Sequence, residues 1–157
     1  MTMEIARADF GDPRLVRFLQ QHLDDMAPTA PPESRHALDL TGLQKPGVRV
    51  WVGTIGDDLV ATGALAPVEP GHEEVKSMRT APAHRGSGLA RSMLAHLIAD
   101  AVGRGVHRLS LETGSMAFFA PARSLYRSAG FVDCPPFGTY RPDPNSVFLS
   151  RTLPVEG

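Results

Sequence analysis

Between Leu89 and Val102 apolar residues recur at helical spacing: Leu89, Met93, Leu97 and Ala101 form one stripe, flanked by Leu94, Ile98 and Val102. That period places them on one face of a helix, and Gly103 and Gly105 provide its stop. An earlier stripe, Leu15, Phe18, Leu19, Leu23 and Met26, predicts a first helix, with Asp12 as its N-cap and Pro13 at the first helical position. Pro28 breaks it. Pro31-Pro32 opens a shorter helix through Leu40, ending near Gly42, and Pro121 to Ala129 predicts a last one, closed by Gly130. The remaining apolar runs are β-rich: Met3–Ala8, Val48–Ile55, Leu59–Ala66, Val75–Thr80, Val106–Leu111, Phe131–Cys134 and Val147–Leu153. Gly56-Asp57-Asp58 predicts a hairpin turn inside an antiparallel meander. A helix crosses from Thr80 to Val106, so the strands it connects must run parallel. The expected class is α/β.

Length and charge narrow this further. At 157 residues the chain suits one domain, residues 1–157, with a sizeable core; no internal repeat or boundary interrupts it. Charged residues are 21% and the net charge is −1, which gives no reason to expect nucleic acid or a membrane as partner. The N-terminus lacks the basic and apolar regions of a signal peptide. A single cysteine, Cys134, fits a reducing cytosol, so a cytoplasmic location is expected. The six histidines lack metal-ligand spacing, and no metal is expected.

The candidate chemistry lies between the strand ending at Thr80 and the helix beginning near Leu89. Pro82 ends the strand, and Arg85-Gly86-Ser87-Gly88 follows. Glycines at a helix start let backbone N–H groups face outward, the helix dipole adds partial positive charge, and Arg85 adds a full one. This combination is a phosphate cradle. A dinucleotide reading of Gly86-x-Gly88, with Glu112 as ribose-binding acid, meets three objections. Arg91 occupies the third glycine position, Pro82 separates loop from strand, and a second βαβ half is missing. A nucleotide-triphosphate loop would need Gly-Lys-Ser/Thr, which is absent.

Arg85-x-x-Gly88-x-Ala90, following Met78-Arg79-Thr80-x-Pro82, resembles the acetyl-coenzyme A signature of the GCN5-related N-acetyltransferases, the GNAT family. Leu111-Glu112-Thr113 and the run Ala122 to Phe131, which matches A-x-x-L-Y-x-x-x-G-F, extend the resemblance over nearly the whole chain. Pro31–Leu40 and Asp143–Phe148 look like those of a bacterial subgroup whose acceptor is unassigned. The resemblance implies a mixed central sheet, an antiparallel meander plus a parallel pair splayed at the cofactor wedge, flanked by helices. It also implies transfer of an acetyl group from acetyl-CoA, as cosubstrate, to a primary amine of a small molecule or peptide. Dimers are common in the family, so a homodimer is compatible with it. The competing expectation is a non-catalytic GNAT-fold module that binds coenzyme A as a sensor or assembly surface.

By the same resemblance, Met78, Arg79 and Thr80 would pair with the pantetheine arm, and Arg85, Gly86, Ser87, Gly88, Leu89 and Ala90 would hold the phosphates. An alkyl ammonium arrives protonated at neutral pH, so the reaction needs a base, and the departing thiolate needs a proton. Tyr126, protonated at pH 7, is the candidate acid; its other reading is a core tyrosine on the stripe with Ala122, Leu125 and Ala129. Glu74 is the candidate base. Simple alternation would place Glu74, Lys76, Met78 and Thr80 on one face and Glu73 on the other, so Glu74 could equally be half of a surface cross-strand ion pair with a lysine. Glu112 reads as a structural acid. Glu33 and His36, beside Arg35 and Asp39, together with Ser115, Tyr140, Arg141 and Asn145, are candidates for shaping the acceptor site. Thr113 and Ser115 could also cap the following helix.

Overall fold

The computed structural model describes residues 2–26 and 40–154. Asp12 caps helix α1 (Pro13–Met26): its carboxylate accepts the Arg14 backbone N–H at 2.9 Å, as proline at the first helical position allows. Strand β1 (Glu4–Arg7) precedes it, and the short α2 (Leu40–Leu43) leads to β2 (Arg49–Ile55), β3 (Asp58–Glu69) and β4 (His72–Thr80). A 3₁₀ turn, Pro82–His84, and a glycine loop lead into α3 (Leu89–Gly103), then β5 (Arg108–Gly114), α4 (Ala120–Ser128), β6 (Val132–Asp133) and β7 (Ser146–Thr152).

The strands form one sheet in the order β1-β2-β3-β4-β5-β7-β6. Only β4 and β5 pair in parallel, as the α3 crossover requires; the other pairs are antiparallel. This is the mixed sheet with flanking helices expected above. The β2–β3 turn holds Gly56 at φ +59°. The β3–β4 hairpin is longer than the apolar pattern indicates, because Glu69 pairs with His72 around Pro70 and Gly71 (φ +79°). Proline followed by glycine is itself a turn signal, and polar Glu73 and Glu74 hid the strand beyond it.

Each face of the sheet buries its own core. On one, the α3 stripe Leu89, Met93, Leu97 and Ala101 is buried; most of it packs with Ala61, Leu65, Val75, Leu109, Leu111 and the α4 residue Tyr126. On the other, Leu15 and Leu19 of α1 close over Leu43, Val50 and Ala64. Gly63 lies under α3, where a Cβ would come within 2.8 Å of Met93 Cγ. Arg104 fastens the end of α3 to the sheet: its guanidinium donates to both carboxylate oxygens of Glu73, at 2.7 and 2.9 Å, and to Asp100 at 2.8 Å. Glu73 thus points away from Glu74, as alternation predicts.

Candidate active site

Strands β4 and β5 share register only at His72–Arg108, Glu73–Leu109 and Glu74–Ser110. Beyond Glu74, β4 stays with β3 as far as Thr80–Ala61, while β5 stays with β7 as far as Gly114–Ser146. The parallel pair therefore splays. From Val75 to Thr80 the backbone edge that faces β5 makes no ladder to it.

A bulge lies within the splayed stretch. Thr62 pairs with Arg79 and Ala64 with Lys76, so Ser77 and Met78 together oppose Gly63. Ser77 adopts φ +53°, and the Thr62 hydroxyl donates to its carbonyl at 2.8 Å. The extra residue inverts alternation and corrects the expected grouping. Lys76 and Arg79 align with Ala64 and Thr62 on the α1 side, with Glu74; Val75 and Thr80 align with Leu65 and Ala61 on the α3 side, where Met78 packs too.

After Thr80 the chain folds into the 3₁₀ turn, anchored by Ala81 N–H donating to Val60 O at 2.8 Å. Gly86 (φ +80°) and Gly88 (φ +85°) follow. A Cβ at either would meet nothing within 4 Å, so the backbone there borders open space. Gly88 is the N-cap of the 15-residue α3 and offers no side-chain cap, which leaves first-turn N–H groups for an external acceptor. These features, with Arg85 alongside, fit a coenzyme pyrophosphate. Ser87 donates its hydroxyl to His84 O and is absent from the cleft lining, so any contact from it would be through the backbone.

The glycine loop forms one end of a cleft of about 900 Å³. Met78, Arg79 and Thr80 line it too, as do Phe118, Phe119, Ala122, Leu125 and Tyr126. Tyr126 is 7% exposed and packs edge-on against Phe131, ring centroids 5.9 Å apart. Burial pushes its phenol pKa up, so the hydroxyl keeps its proton through neutral pH. The position of α4 is set at the end of β5: Arg123 donates to Gly114 O at 2.7 Å and Met116 O at 2.9 Å. Gly114 has no room for a side chain, since a Cβ would fall 2.0 Å from the Phe119 ring.

Two residues of α1 that local reading missed, His22 and Asp25, line the same cleft. His22 lies four positions after Phe18 and three after Leu19, a polar residue on an apolar stripe; that interruption was the available signal. Burial, then Arg79 and Arg85, push its imidazole pKa down to about 4, so it is neutral at pH 7. Asp25 accepts from Arg79 Nη1 at 2.8 Å.

Glu74 lines a different cavity, of about 830 Å³, together with Lys76, Tyr140 and Arg141. Its Oε2 accepts from Lys76 Nζ at 3.1 Å and from the Tyr140 hydroxyl. Lys76 Nζ also lies 3.0 Å from the Tyr140 oxygen. The ion pair runs along one strand and is largely buried, with 13% of the Glu74 side chain exposed. Tyr140 is held by Phe137 and Phe148, at 5.1 and 5.5 Å between centroids, and burial and Glu74 keep its phenol protonated. Ser115 ties the end of β5 to the late loop, its hydroxyl donating to Pro144 O at 2.6 Å and its N–H to Asn145 O at 3.1 Å. Glu112 accepts from the Ser146 hydroxyl at 2.6 Å. Glu33, Arg35, His36 and Asp39 lie outside the described residues. Among the described residues no group of three or more His, Cys, Asp or Glu could hold a metal ion, and no helix is long and apolar enough to cross a membrane.

The sequence pattern of the Acetyltransferase (GNAT) family matches residues 13–131. YsnE of Bacillus subtilis (strain 168), an uncharacterized N-acetyltransferase, is 46% identical over 151 residues, 96% of this chain and 100% of that protein. YedL of Escherichia coli (strain K12), an uncharacterized N-acetyltransferase, is 44% identical over 145 residues, 92% of this chain and 91% of its own. Among solved structures, an aminoglycoside 6'-N-acetyltransferase complexed with coenzyme A shares the fold at a TM-score of 0.74 and 13% identity, with 98% of this chain and 99% of that chain covered. With the splayed parallel strands and the glycine loop in place, the matched pattern and the relatives agree: this chain is an acetyltransferase of the GNAT family.

Proposed function

We propose that the chain transfers an acetyl group directly from acetyl-CoA to a primary amine of a small molecule or peptide. One observation carries this reading: a single cleft is lined by an uncapped helix N-terminus, Arg85, a buried, protonated tyrosine and the end of β4, whose edge toward β5 makes no ladder. Arg85 and the backbone of Gly86, Gly88, Leu89 and Ala90 hold the phosphates, and the edge of Met78 to Thr80 orients the pantetheine arm. The bound coenzyme supplies the acetyl thioester. Tyr126 Oη holds a proton and gives it to the departing sulfur. Glu74, on the α1 side of the wedge, takes the amine proton, directly or through a water.

The fit to coenzyme A is testable without turnover. At 100 times its dissociation constant, coenzyme A is expected to stabilise the protein by about 2.7 kcal/mol, read as a rise in Tm. NAD is expected to give no such rise, and equal stabilisation by NAD would remove the assignment. Arg85→Ala and Gly88→Val should each weaken coenzyme binding in a folded protein, by loss of a charge-assisted contact and by a side chain in the phosphate space. Thiol release over a panel of amines separates an enzyme from a module that only binds the coenzyme.

Glu74→Gln tests the base. The expected result is a lower kcat/KM near neutral pH with coenzyme affinity nearly intact. Normal activity with an unchanged pH profile would leave Glu74 as the partner of Lys76 and Tyr140 alone.

A further inference from the structure

Arg79 is a cation closed off from water. Only 4% of its side chain is exposed, its guanidinium stacks on the Phe18 ring at 5.3 Å, and Nη1 donates to Asp25. Among the described residues its Nε is buried with no hydrogen-bond partner. A guanidinium presents Nε and Nη2 as a fork matched to two carboxylate oxygens, and Asp25 engages the other end of the group. Among the described residues that inner donor has no match, while the Asp25 carboxylate at the outer end is one-third exposed.

The bulge gives Arg79 its place. Had alternation continued through Ser77, this side chain would face α3; instead it reaches the cleft from the α1 side. Arg85 of the glycine loop lines the same cleft and, like Arg79, acts on His22 and Asp25. Beside Arg79 the described residues of the cleft include a neutral histidine, His22, and the carboxylate of Asp25. The cleft therefore holds a second cation, Arg79, besides Arg85 of the glycine loop.

We propose that Arg79 binds a carboxylate of the acceptor, so that the amine acetylated here belongs to an amino acid or another amine that carries an acid group. This rests on the acetyl-transfer reading above and names its substrate class. The incoming carboxylate takes the place of the Asp25 carboxylate, one-third exposed, at the Nη end of Arg79, so Asp25 competes with it for the same guanidinium.

The test uses matched pairs that differ only in the charge of one group. N-acetyl-L-amino acids and their carboxamides are titrated by calorimetry into the coenzyme A-loaded protein, and kcat/KM is measured for the free amino acids and their amides. For the side chains that bind, the acid is expected to be favoured by about tenfold or more in both measurements. Arg79→Gln should bring the ratio to within about twofold of one while coenzyme affinity changes little. Asp25→Asn, which removes the competitor without emptying the buried site, should tighten acid binding several-fold and leave the amides alone. Equal binding of acids and amides by the wild-type protein, or no binding of either form, overturns the proposal. So does a preference that survives in Arg79→Gln, or an Arg79→Gln variant that loses coenzyme instead. If Arg79→Gln does not fold, Asp25→Asn decides: unchanged or weaker acid binding overturns the proposal. Arg79-dependent acid binding without thiol release from any amine would sink the catalytic reading and keep this site; rapid acetylation of amines lacking a carboxylate, with no acid preference, would do the reverse.

Discussion

Replacing Tyr126 with phenylalanine is expected to lower kcat by about 10²–10⁴-fold in a protein that stays folded and saturable with coenzyme A. The expected size is that of a positioned general acid. In the proposed transfer the leaving group is a thiolate, and the part of the cleft wall formed by Phe118, Phe119, Ala122 and Leu125 is apolar, so bulk water is a poor proton source there. Tyr126 Oη is the hydroxyl built into that wall, and burial keeps it protonated. Its ring contributes to the core against Phe131, and phenylalanine keeps that ring. Only the oxygen is lost, so the melting temperature and coenzyme affinity should change little. Steady-state kinetics with calorimetry of coenzyme binding decides the matter. Full activity in Tyr126→Phe would make the residue a packing element of α4.

A second large effect is expected from acid. His22 is neutral in the folded chain because burial and the cations Arg79 and Arg85 hold its pKa down to about 4, against an ordinary value of 6.5. As pH falls from about 6.5 toward about 4, the unfolded chain takes up this proton and the folded chain does not. Stability is therefore fully present above the unfolded value and is lost through that window. A shift of this size corresponds to roughly 2–3 kcal/mol between pH 7 and pH 4.5. His72, which burial also holds down, acts in the same direction, so the diagnostic is a difference between proteins. In urea unfolding, wild type should lose roughly 2–3 kcal/mol more than His22→Gln between those two pH values. Equal losses would mean that His22 is solvated and does not feel Arg79.

Much of the glycine-loop end of the cleft is a local property of the chain. Pro82 stops a strand, Gly86 and Gly88 permit φ near +80°, and the stripe from Leu89 to Ala101 commits the following residues to a helix. Each consequence depends on residues within a few positions, so spacing alone reveals it. The parallel β4–β5 pair follows almost as directly, because a single crossover helix leaves no other choice. Tyr126 was legible for a different reason. Its motif, Ala122 to Phe131, encodes one local device, a short helix closed by Gly130 at φ +93° that turns Phe131 back under the ring.

The α1 side of the sheet was decided by tertiary structure. Ser77 is not a glycine, and nothing near it in sequence announces φ +53°; the bulge exists because β3 offers Gly63 opposite two residues and Thr62 satisfies the Ser77 carbonyl. That one inserted residue moves Arg79 to the α1 face, and strict period-two reading must then fail for every residue beyond it. Glu74 meets Tyr140 across 66 residues, and Arg79 meets Asp25 across 54. Contacts at that separation are set by strand register and by the seating of α1 on the sheet, where burial outweighs any local preference. The sequence by itself determined the glycine loop, the helix after it and the place of Tyr126 on α4. Register and packing alone decided which charges face one another across the cleft, since Coulomb and hydrogen-bond energies depend on distance in space and not along the chain.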